Sequence, residues 1–317
     1  MELLKKLYEK HSPSGKENSM RMLLKKECQQ RGAVVKKDTY GNLLVTKGQA
    51  DTYPCICAHM DQVQNLHSKD FTVMQAGDVV FGYSPSAKSQ QGLGADDKNG
   101  LWIALQLLDE LDALKCAFFV EEESGCVGSN HVDLSFFSDV RFCLQADRKT
   151  GKDLITKING DICSAEFIEE MDYKTYGYKP TSGLTTDVGT LSRRGVGVSC
   201  INISCGYYHP HTDHECTVWS ELLNALDFAR HICTTCTSVY PHGYVEQKVW
   251  QSARLSNNYY KCTYDYDFLD RETMHEIVLL HPHMSFIDLM KLYLFDFYTN
   301  DMNSLRKLYH KVKNVNK

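Results

Sequence analysis

The sequence lacks several features that mark whole classes of proteins. It has no excess of positive charge, because 35 basic residues face 40 acidic ones and give a formal net charge of −5. A nucleic-acid-binding protein would carry a basic face, so this balance argues against that class. The most apolar late stretch, residues 289–298, contains Lys291 and Asp296 and is too short to span a bilayer. The first ten residues have no apolar core of the kind found in secretory signals. We therefore expect a soluble protein with neither a nucleic acid nor a membrane as partner.

A regular cysteine framework is also missing. The chain has 13 cysteines, an odd number without regular spacing, which favours a reducing cytoplasm over a disulfide scaffold. A chain of about 300 residues buries roughly 75% of its unfolded surface and needs no disulfide for stability. The sequence shows no internal repeat and no low-complexity tract. It therefore predicts a cytoplasmic globular protein.

The sequence does contain short apolar runs that end close to residues with useful chemistry. Residues 53–58 lead to His59, 116–120 lead to an acidic run at 121–123, 140–144 lead to Asp147, and 196–203 end shortly before His211. Such uninterrupted runs suit strands that are buried on both faces. In open α/β sheets, ligands bind beyond the carboxyl ends of the strands. The pattern predicts an α/β fold with a mixed, largely parallel central sheet flanked by helices.

Helical and irregular segments fill the remaining length. Ser14 with Glu17 has the pattern of a helix start, and helices are also predicted over 97–112 and 217–233. Residues 62–93 are rich in Gly and Ser and predict a hairpin and loop. Beyond residue 243 the composition changes, so we expect a catalytic domain over 1–243. Residues 244–317 are predicted to form a helical C-terminal extension that packs on the core.

Five segments carry candidate metal ligands. They are Ala-His59-Met-Asp61, Gly-Ala-Asp96-Asp97-Lys-Asn-Gly, Glu121-Glu122-Glu123-Ser-Gly-Cys-Val-Gly-Ser, Gln-Ala-Asp147-Arg and His211-Thr-Asp-His-Glu215. Histidine and carboxylate ligands together suit zinc or a similar borderline divalent ion. Two such ions about 3.5–4 Å apart can hold a water and polarise a carbonyl, which permits amide hydrolysis at neutral pH.

Each candidate also has an ordinary structural interpretation. His59 can bind a metal while Asp61, on the same strand face, accepts its other N–H, or it can be a buried histidine with a polar neighbour. Asp96 can bridge two ions or simply cap a helix. A carboxylate run is usually a solvated face, but this one directly follows the most apolar strand.

The acidic run and the last segment leave choices open. Adjacent glutamates cannot do the same job, so one should bind metal while its neighbour acts as general base. Asp147, at the end of another apolar run, is a further candidate ligand for one of the two ions. By chemistry alone His209, His211 or His214 can be the last ligand, with Glu215 available to support it.

These motifs, in this order, resemble the co-catalytic zinc metallopeptidase superfamily that includes peptidase T, carboxypeptidase G, the aminoacylases and the glutamyl-type aminopeptidases. Residues 186–191 up to His211 further resemble the glutamyl-aminopeptidase branch. The resemblance covers about residues 1–240. It implies a zinc exopeptidase-like three-layer sandwich and two divalent metal ions, most simply zinc.

The resemblance also implies a role for each residue. Metal one would be held by His59, Asp96 and Asp147, and metal two by Asp96, Glu123 and His211. Glu122 would be the general base and Asp61 the partner of His59. The family's histidine precedes Ser/Thr-x-x-Glu, which selects His211, and Asp187 is interpreted as structural.

One departure from the family is visible in the sequence. Many relatives insert a second domain of about 100 residues among these motifs. Neither the segment between His59 and Asp96 nor the segment between Asp147 and His211 is long enough for it. In relatives that domain often mediates dimerisation and binds part of the substrate, so oligomeric state stays open.

The sequence thus predicts a di-zinc exopeptidase, an aminopeptidase whose partner is a short peptide substrate. The alternatives are an amidohydrolase that deacylates N-acyl amino acids and a non-catalytic metal-binding relative. Tyr207 or Tyr208 is a candidate donor to the oxyanion of the reaction, against the simpler interpretation of a packed tyrosine.

Overall fold

The structure is a computed structural model that describes residues 1–64 and 66–245. Its helices, in chain order, are α1 (Glu2–Tyr8), α2 (Asn18–Gln30), α3 (Ala95–Glu110), α4 (Val127–His131), α5 (Ala165–Glu170), α6 (Asp187–Arg193) and α7 (Trp219–Thr235). The predicted helical C-terminal extension lies outside the described residues apart from 244 and 245.

Thirteen strands are found in the described part of the chain. They are β1 (Val34–Lys37), β2 (Leu43–Lys47), β3 (Tyr53–His59), β4 (Thr72–Ala76), β5 (Val79–Ser84), β6 (Ser89–Gln91), β7 (Leu114–Phe119), β8 (Val140–Arg148), β9 (Asp153–Lys157), β10 (Lys179–Ser182), β11 (Cys200–Ser204), β12 (Tyr207–Tyr208) and β13 (Cys216–Val218).

Eight of these strands form a mixed central sheet in the order β1-β2-β7-β3-β8-β11-β9-β10. The four inner strands β7, β3, β8 and β11 run parallel to one another. Antiparallel pairing occurs between β1 and β2, β2 and β7, and β11 and β9. Every residue of β3, β7 and β11 is buried, as expected for strands covered on both faces.

Two separate apolar layers cover the central sheet. Alternate residues of β3 point to opposite faces, so Ile56 and Ala58 join the larger layer with α1, α2, α3 and α7. Cys55 and Cys57 face the smaller layer, which includes Val188 and Leu191 of α6. Because a strand has a side-chain period of two, one run supplies both layers. The predicted three-layer α/β architecture is therefore confirmed.

The cysteines serve as small core residues. The twelve cysteines in the described residues are free, and all but Cys216 are buried. Ligand atoms of Cys55, Cys57 and Cys143 lie within 4.8 Å of one another. Burial raises the pKa of the Cys55 and Cys57 thiols well above the usual value, so they stay neutral and pack as apolar groups.

A second, five-stranded sheet lies between segments that are distant in sequence. Its order is β12-β13-β5-β4, with β6 paired to β5. The β4–β5–β6 meander lies in the segment predicted as hairpin and loop, whereas β13 comes from just after the His211 loop and pairs with β5. This sheet pairs a strand from the segment 72–91, which follows His67, with a strand from the segment 207–218, which contains His211.

The predicted start of the second helix is wrong. Helix α2 begins at Asn18, with Glu17 rather than Ser14 at its N-cap position. The Ser14 hydroxyl instead donates to Asp61 Oδ2 at 2.7 Å. Glu17 Oε1 accepts from the backbone N–H groups of Gly15 and Glu121. Asp61 and Glu121, both distant in sequence, therefore form hydrogen bonds with the two side chains that a local capping motif would pair with the start of the helix.

Among the described residues, no helix has the length and apolar character that crossing a membrane requires.

Candidate metal centre

The ends of three neighbouring parallel strands bring the candidate ligands to one edge of the central sheet. His59 is the last residue of β3, Glu122 and Glu123 follow β7, and Asp147 lies near the end of β8. Strands β7, β3 and β8 are adjacent and parallel, so their carboxyl ends meet at the same edge.

Asp96 lies between the two histidines. Its Oδ1 is 3.0 Å from His59 Nε2, and its Oδ2 is 3.3 Å from His211 Nε2. The backbone at Asp96 departs from helical geometry within the first turn of α3, after Gly94 in the left-handed region at φ 66. The carboxylate therefore faces the site, and each of its oxygens lies beside a different histidine.

The structure gathers the five candidate ligands into two overlapping groups. His59, Asp96 and Asp147 form one group, and Asp96, Glu123 and His211 form the other, with ligand atoms within 4.8 Å of one another in each group. His59 Nε2 is 3.8 Å from Asp147 Oδ1, and His211 Nε2 is 3.1 Å from Glu123 Oε2. The set is the one drawn from the sequence.

Asp61 connects the histidine side of the site with the glutamate side. Its Oδ1 lies 3.3 Å from His59 Nδ1, on the opposite side of the ring from Asp96. Its carboxylate also accepts from the backbone N–H groups of Glu122 and Glu123 at 3.0 and 3.2 Å. One buried carboxylate thus orients the His59 ring and fixes the turn that carries both glutamates.

Glu122 lies in a buried and acidic environment. Burial, the largest cause, raises the pKa of the Glu122 carboxyl well above its usual value. His59 acts in the opposite direction, and the negative charges of Asp147, Asp187 and Glu123 add to the increase. The Cys126 thiol donates to Glu122 Oε1 at 3.5 Å. Glu122 therefore has a higher proton affinity than an ordinary glutamate, as proton transfer at neutral pH requires.

Glu215 does not support His211 directly, in contrast to the sequence hypothesis. Its carboxylate accepts from the backbone N–H groups of Gly94 at 2.6 Å and Asp96 at 3.1 Å. It also accepts from Gln64 Nε2 at 3.1 Å. Glu215 therefore holds the turn that presents Asp96.

The two tyrosines before His211 have different surroundings. The Tyr208 hydroxyl donates to Glu221 at 2.9 Å, away from the candidate ligands. The Tyr207 hydroxyl lies 3.4 Å from Asp147 Oδ1. Tyr207 is buried, so of the two only Tyr207 remains adjacent to the site.

The donor set fits divalent metal ions. Glu123 Oε1 is buried and has no hydrogen-bond partner among the described residues. An unpaired buried carboxylate oxygen is costly unless something compensates its charge. Two imidazoles and three carboxylates form the mixed nitrogen and oxygen set that zinc binds. The residues therefore fit the ions that the sequence predicts.

Protons occupy the histidines when metal is absent. Burial lowers the pKa of each histidine, but their carboxylate neighbours outweigh it. The pKa of His59 lies well above its usual value, and that of His211 rises to about 12. The raised pKa favours the imidazolium form of both rings at neutral pH, so metal ions compete with protons for them.

We expect metal binding at pH 7 to release a proton from each of the two histidine rings, with further protons from the ligand carboxyls whose pKa is raised. Since each displaced proton competes with metal, apparent affinity should rise about tenfold per pH unit for each proton released. Calorimetric titration in buffers of different ionisation enthalpy measures the number. Binding without proton release would show that the rings are neutral or that they do not bind metal.

Several residues near the site received no role from the sequence. Gln145, Thr186 and Asn202 all bond to Asp147, either to its side chain or to its backbone. These three residues lie on β8, at the start of α6 and on β11, so only tertiary structure brings them all to Asp147. Asp187, interpreted from the sequence as structural, is buried and accepts from the Ser129 hydroxyl at 2.5 Å.

Comparison with solved structures identifies the fold. A tripeptidase from Staphylococcus aureus matches with a TM-score of 0.59 at 14% identity, over 73% of this chain and 95% of that one. An aminopeptidase from the archaeon Desulfurococcus kamchatkensis matches with a TM-score of 0.57 at 18% identity, over 73% and 93% of the two chains.

Aminopeptidase PepT from Bacillus cereus matches with a TM-score of 0.56 at 14% identity, over 73% of this chain and 96% of that one. No protein-family model matches the sequence. The chain has the fold of these peptidases, and the resemblance seen in the motifs is confirmed at the level of the fold.

Proposed function

We propose that the protein is a two-metal exopeptidase, an aminopeptidase that hydrolyses short peptides. The observation that carries this proposal is the position of Asp96, with one carboxylate oxygen beside each histidine. A carboxylate in that position is suited to bridge two ions, and the two ligand groups around it share no other residue.

The ligand assignment follows these groups. His59, Asp96 and Asp147 would hold the first ion, and Asp96, Glu123 and His211 would hold the second. When bound, a pair of ions supplies Lewis acidity to a scissile carbonyl and lowers the pKa of a water to near neutrality. Zinc is proposed because imidazole and carboxylate ligands suit it.

The chain's own residues supply the proton transfer. Glu122 would accept a proton from the attacking water and later pass it to the leaving amine. Its raised pKa increases its affinity for that proton. Asp61 would act as a positioning residue, because it bonds to the His59 ring and to the backbone N–H of Glu122.

Short peptides with a free amine are the proposed substrates. The neighbours of the same fold are described as aminopeptidases and a tripeptidase, and we extend that substrate class to this chain. Its free thiols suit the reducing cytoplasm that we propose as its location.

The test combines metal analysis with a substrate panel. Purified full-length protein should contain two ions per chain under zinc-replete conditions. It should hydrolyse unblocked dipeptides and tripeptides faster than N-acetylated versions of the same sequences. Preference for N-acyl amino acids would replace the peptidase with a deacylase, and less than one ion per chain would indicate a non-catalytic relative.

Replacing Asp61 with asparagine should weaken metal binding. Removing a carboxylate that orients a ligating histidine typically costs about 10–100-fold in affinity or activity, and we expect a loss in that range at the first site. Competition against a chromophoric chelator measures it. Asp51→Asn, at an exposed aspartate, is the control, and equal affinities for the two variants would remove Asp61 from the proposed role.

A further inference from the structure

We propose that Gln145 restricts Asp147 to one metal-facing oxygen and thereby sets the metal preference of the first site. This inference rests on the proposed function, because it takes Asp147 as a metal ligand. It assigns a role to a residue that is not itself a candidate ligand.

The contacts of Asp147 differ between its two oxygens. Gln145 Nε2 donates to Oδ2 at 3.1 Å, and the Thr186 hydroxyl lies 3.5 Å from the same atom. Oδ1 is the oxygen that lies 3.8 Å from His59 Nε2, with the Tyr207 hydroxyl at 3.4 Å. Oδ2 thus accepts from the buried Gln145 amide, while Oδ1, which accepts a longer bond from the Tyr207 hydroxyl, is the oxygen that faces the ligand group.

Gln145 is itself held on its other side. Its Oε1 accepts from the Thr186 hydroxyl at 2.8 Å and from the backbone N–H of Val188 at 3.1 Å. The side chain is fully buried. An amide has both donors and an acceptor, so this one residue links the first turn of α6 to Asp147. Because the acceptor is fixed, the donating NH₂ group cannot turn away from Oδ2 without losing those bonds.

The backbone of Asp147 is also fixed. Asn202 Oδ1 accepts from the Asp147 N–H at 2.9 Å, and Asn202 Nδ2 donates to the Asp147 carbonyl at 2.8 Å. Side chain and main chain are therefore held from two different elements, β8 and β11. Rotation of the carboxylate to present both oxygens would break the Gln145 bond.

Glu123, the corresponding ligand of the second group, lacks this restraint. Its Oε2 lies 3.1 Å from His211, and its buried Oε1 has no hydrogen-bond partner among the described residues. Both oxygens of Glu123 are therefore available to an ion. The two groups have the same types of donors but differ in how many carboxylate oxygens they can offer.

The number of available oxygens affects which metal is preferred. Zinc is satisfied by few ligands and is often four-coordinate, whereas manganese and magnesium favour six, mostly oxygen, ligands. A single available Asp147 oxygen keeps the coordination number of the first site low, which favours zinc. Freeing Oδ2 would add an oxygen and move the preference toward manganese.

The test is Gln145→Met in the full-length protein, which keeps the length of the side chain and removes its hydrogen bonds. We expect about 10–100-fold weaker zinc binding at one site, with manganese affinity unchanged or higher. In the cobalt(II)-loaded protein, the visible absorption of that site should fall several-fold, because higher coordination weakens these bands. Gln75→Met, at an exposed position of β4, is the matched control.

Thr186→Val is the second variant, because it removes the hydroxyl that donates to Gln145 Oε1 and holds the amide in place, with little change in shape. We expect a change in the same direction and of smaller size, with the thermal unfolding midpoint reported for both variants. The inference would be overturned if folded Gln145→Met protein had the same zinc affinity, the same preference for zinc over manganese and the same cobalt spectrum as the wild type. If wild-type protein binds fewer than two ions, the proposed function fails first, and the two failures are thus distinguishable.

Discussion

Replacing Glu122 with glutamine is expected to lower kcat by about 10²–10⁴-fold, the usual contribution of a positioned general base, while two metal ions stay bound. The amide keeps the size of the side chain and cannot accept the proton of the attacking water. Glu122 is not in either ligand group, so metal content should not change. Steady-state hydrolysis of an unblocked tripeptide and metal analysis of the same sample test both parts.

Glu121→Gln is the matched control for this experiment. Glu121 precedes Glu122 directly, and its backbone N–H donates to Glu17, but its side chain has no place in either ligand group. We expect this variant to retain turnover close to that of the wild type. Full turnover in Glu122→Gln protein with both ions bound would exclude Glu122 as the base.

Replacing Asp96 with asparagine is expected to weaken metal binding at both sites. Asp96 belongs to both ligand groups, so one substitution weakens both sites. An amide is neutral and offers one acceptor oxygen instead of two. The loss of affinity should exceed the about 10–100-fold that follows loss of a residue that only orients a ligand, with activity lost in parallel.

Metal analysis after dialysis measures this loss, and Asp109→Asn, an exposed position on the same helix, is the control. Asp97→Asn is unsuitable for that purpose, because Asp97 is buried and accepts from the backbone N–H groups of His59 and Gly100. If Asp96→Asn protein kept two ions at wild-type affinity, the bridging assignment would be wrong.

The parts of the fold that the sequence predicted are those governed by local pattern. Uninterrupted apolar runs such as 116–120 gave the buried parallel strands, and the position of His59 directly after such a run gave its place at the sheet edge. The same rule about strand ends brings His59, Glu123 and Asp147 to one edge, whereas the grouping of Asp96 and His211 with them was implied by the family resemblance. Their role in binding metal stays a prediction.

Other features depended on contacts that a local pattern does not contain. The capping pattern at Ser14 was misleading because the Ser14 hydroxyl donates its hydrogen bond to Asp61, which is far away in sequence. Glu215 was assigned to His211 by proximity in the chain, whereas folding places it under Asp96. Gln145 lies in the Gln-Ala-Asp147-Arg segment but received no role from the sequence, since its partners are at the start of α6 and on Asp147, whose orientation only the folded structure fixes.

The pairing of β5 with β13 has a consequence for synthesis on the ribosome. The second sheet needs residues 79–84 and 216–218 together, and His211 lies just before the later segment. The turn that presents Asp96 also needs Glu215, so neither ligand group can be completed until the chain through residue 218 has been synthesised. The proposed two-ion centre would therefore be completed only after most of the core that surrounds it has been made.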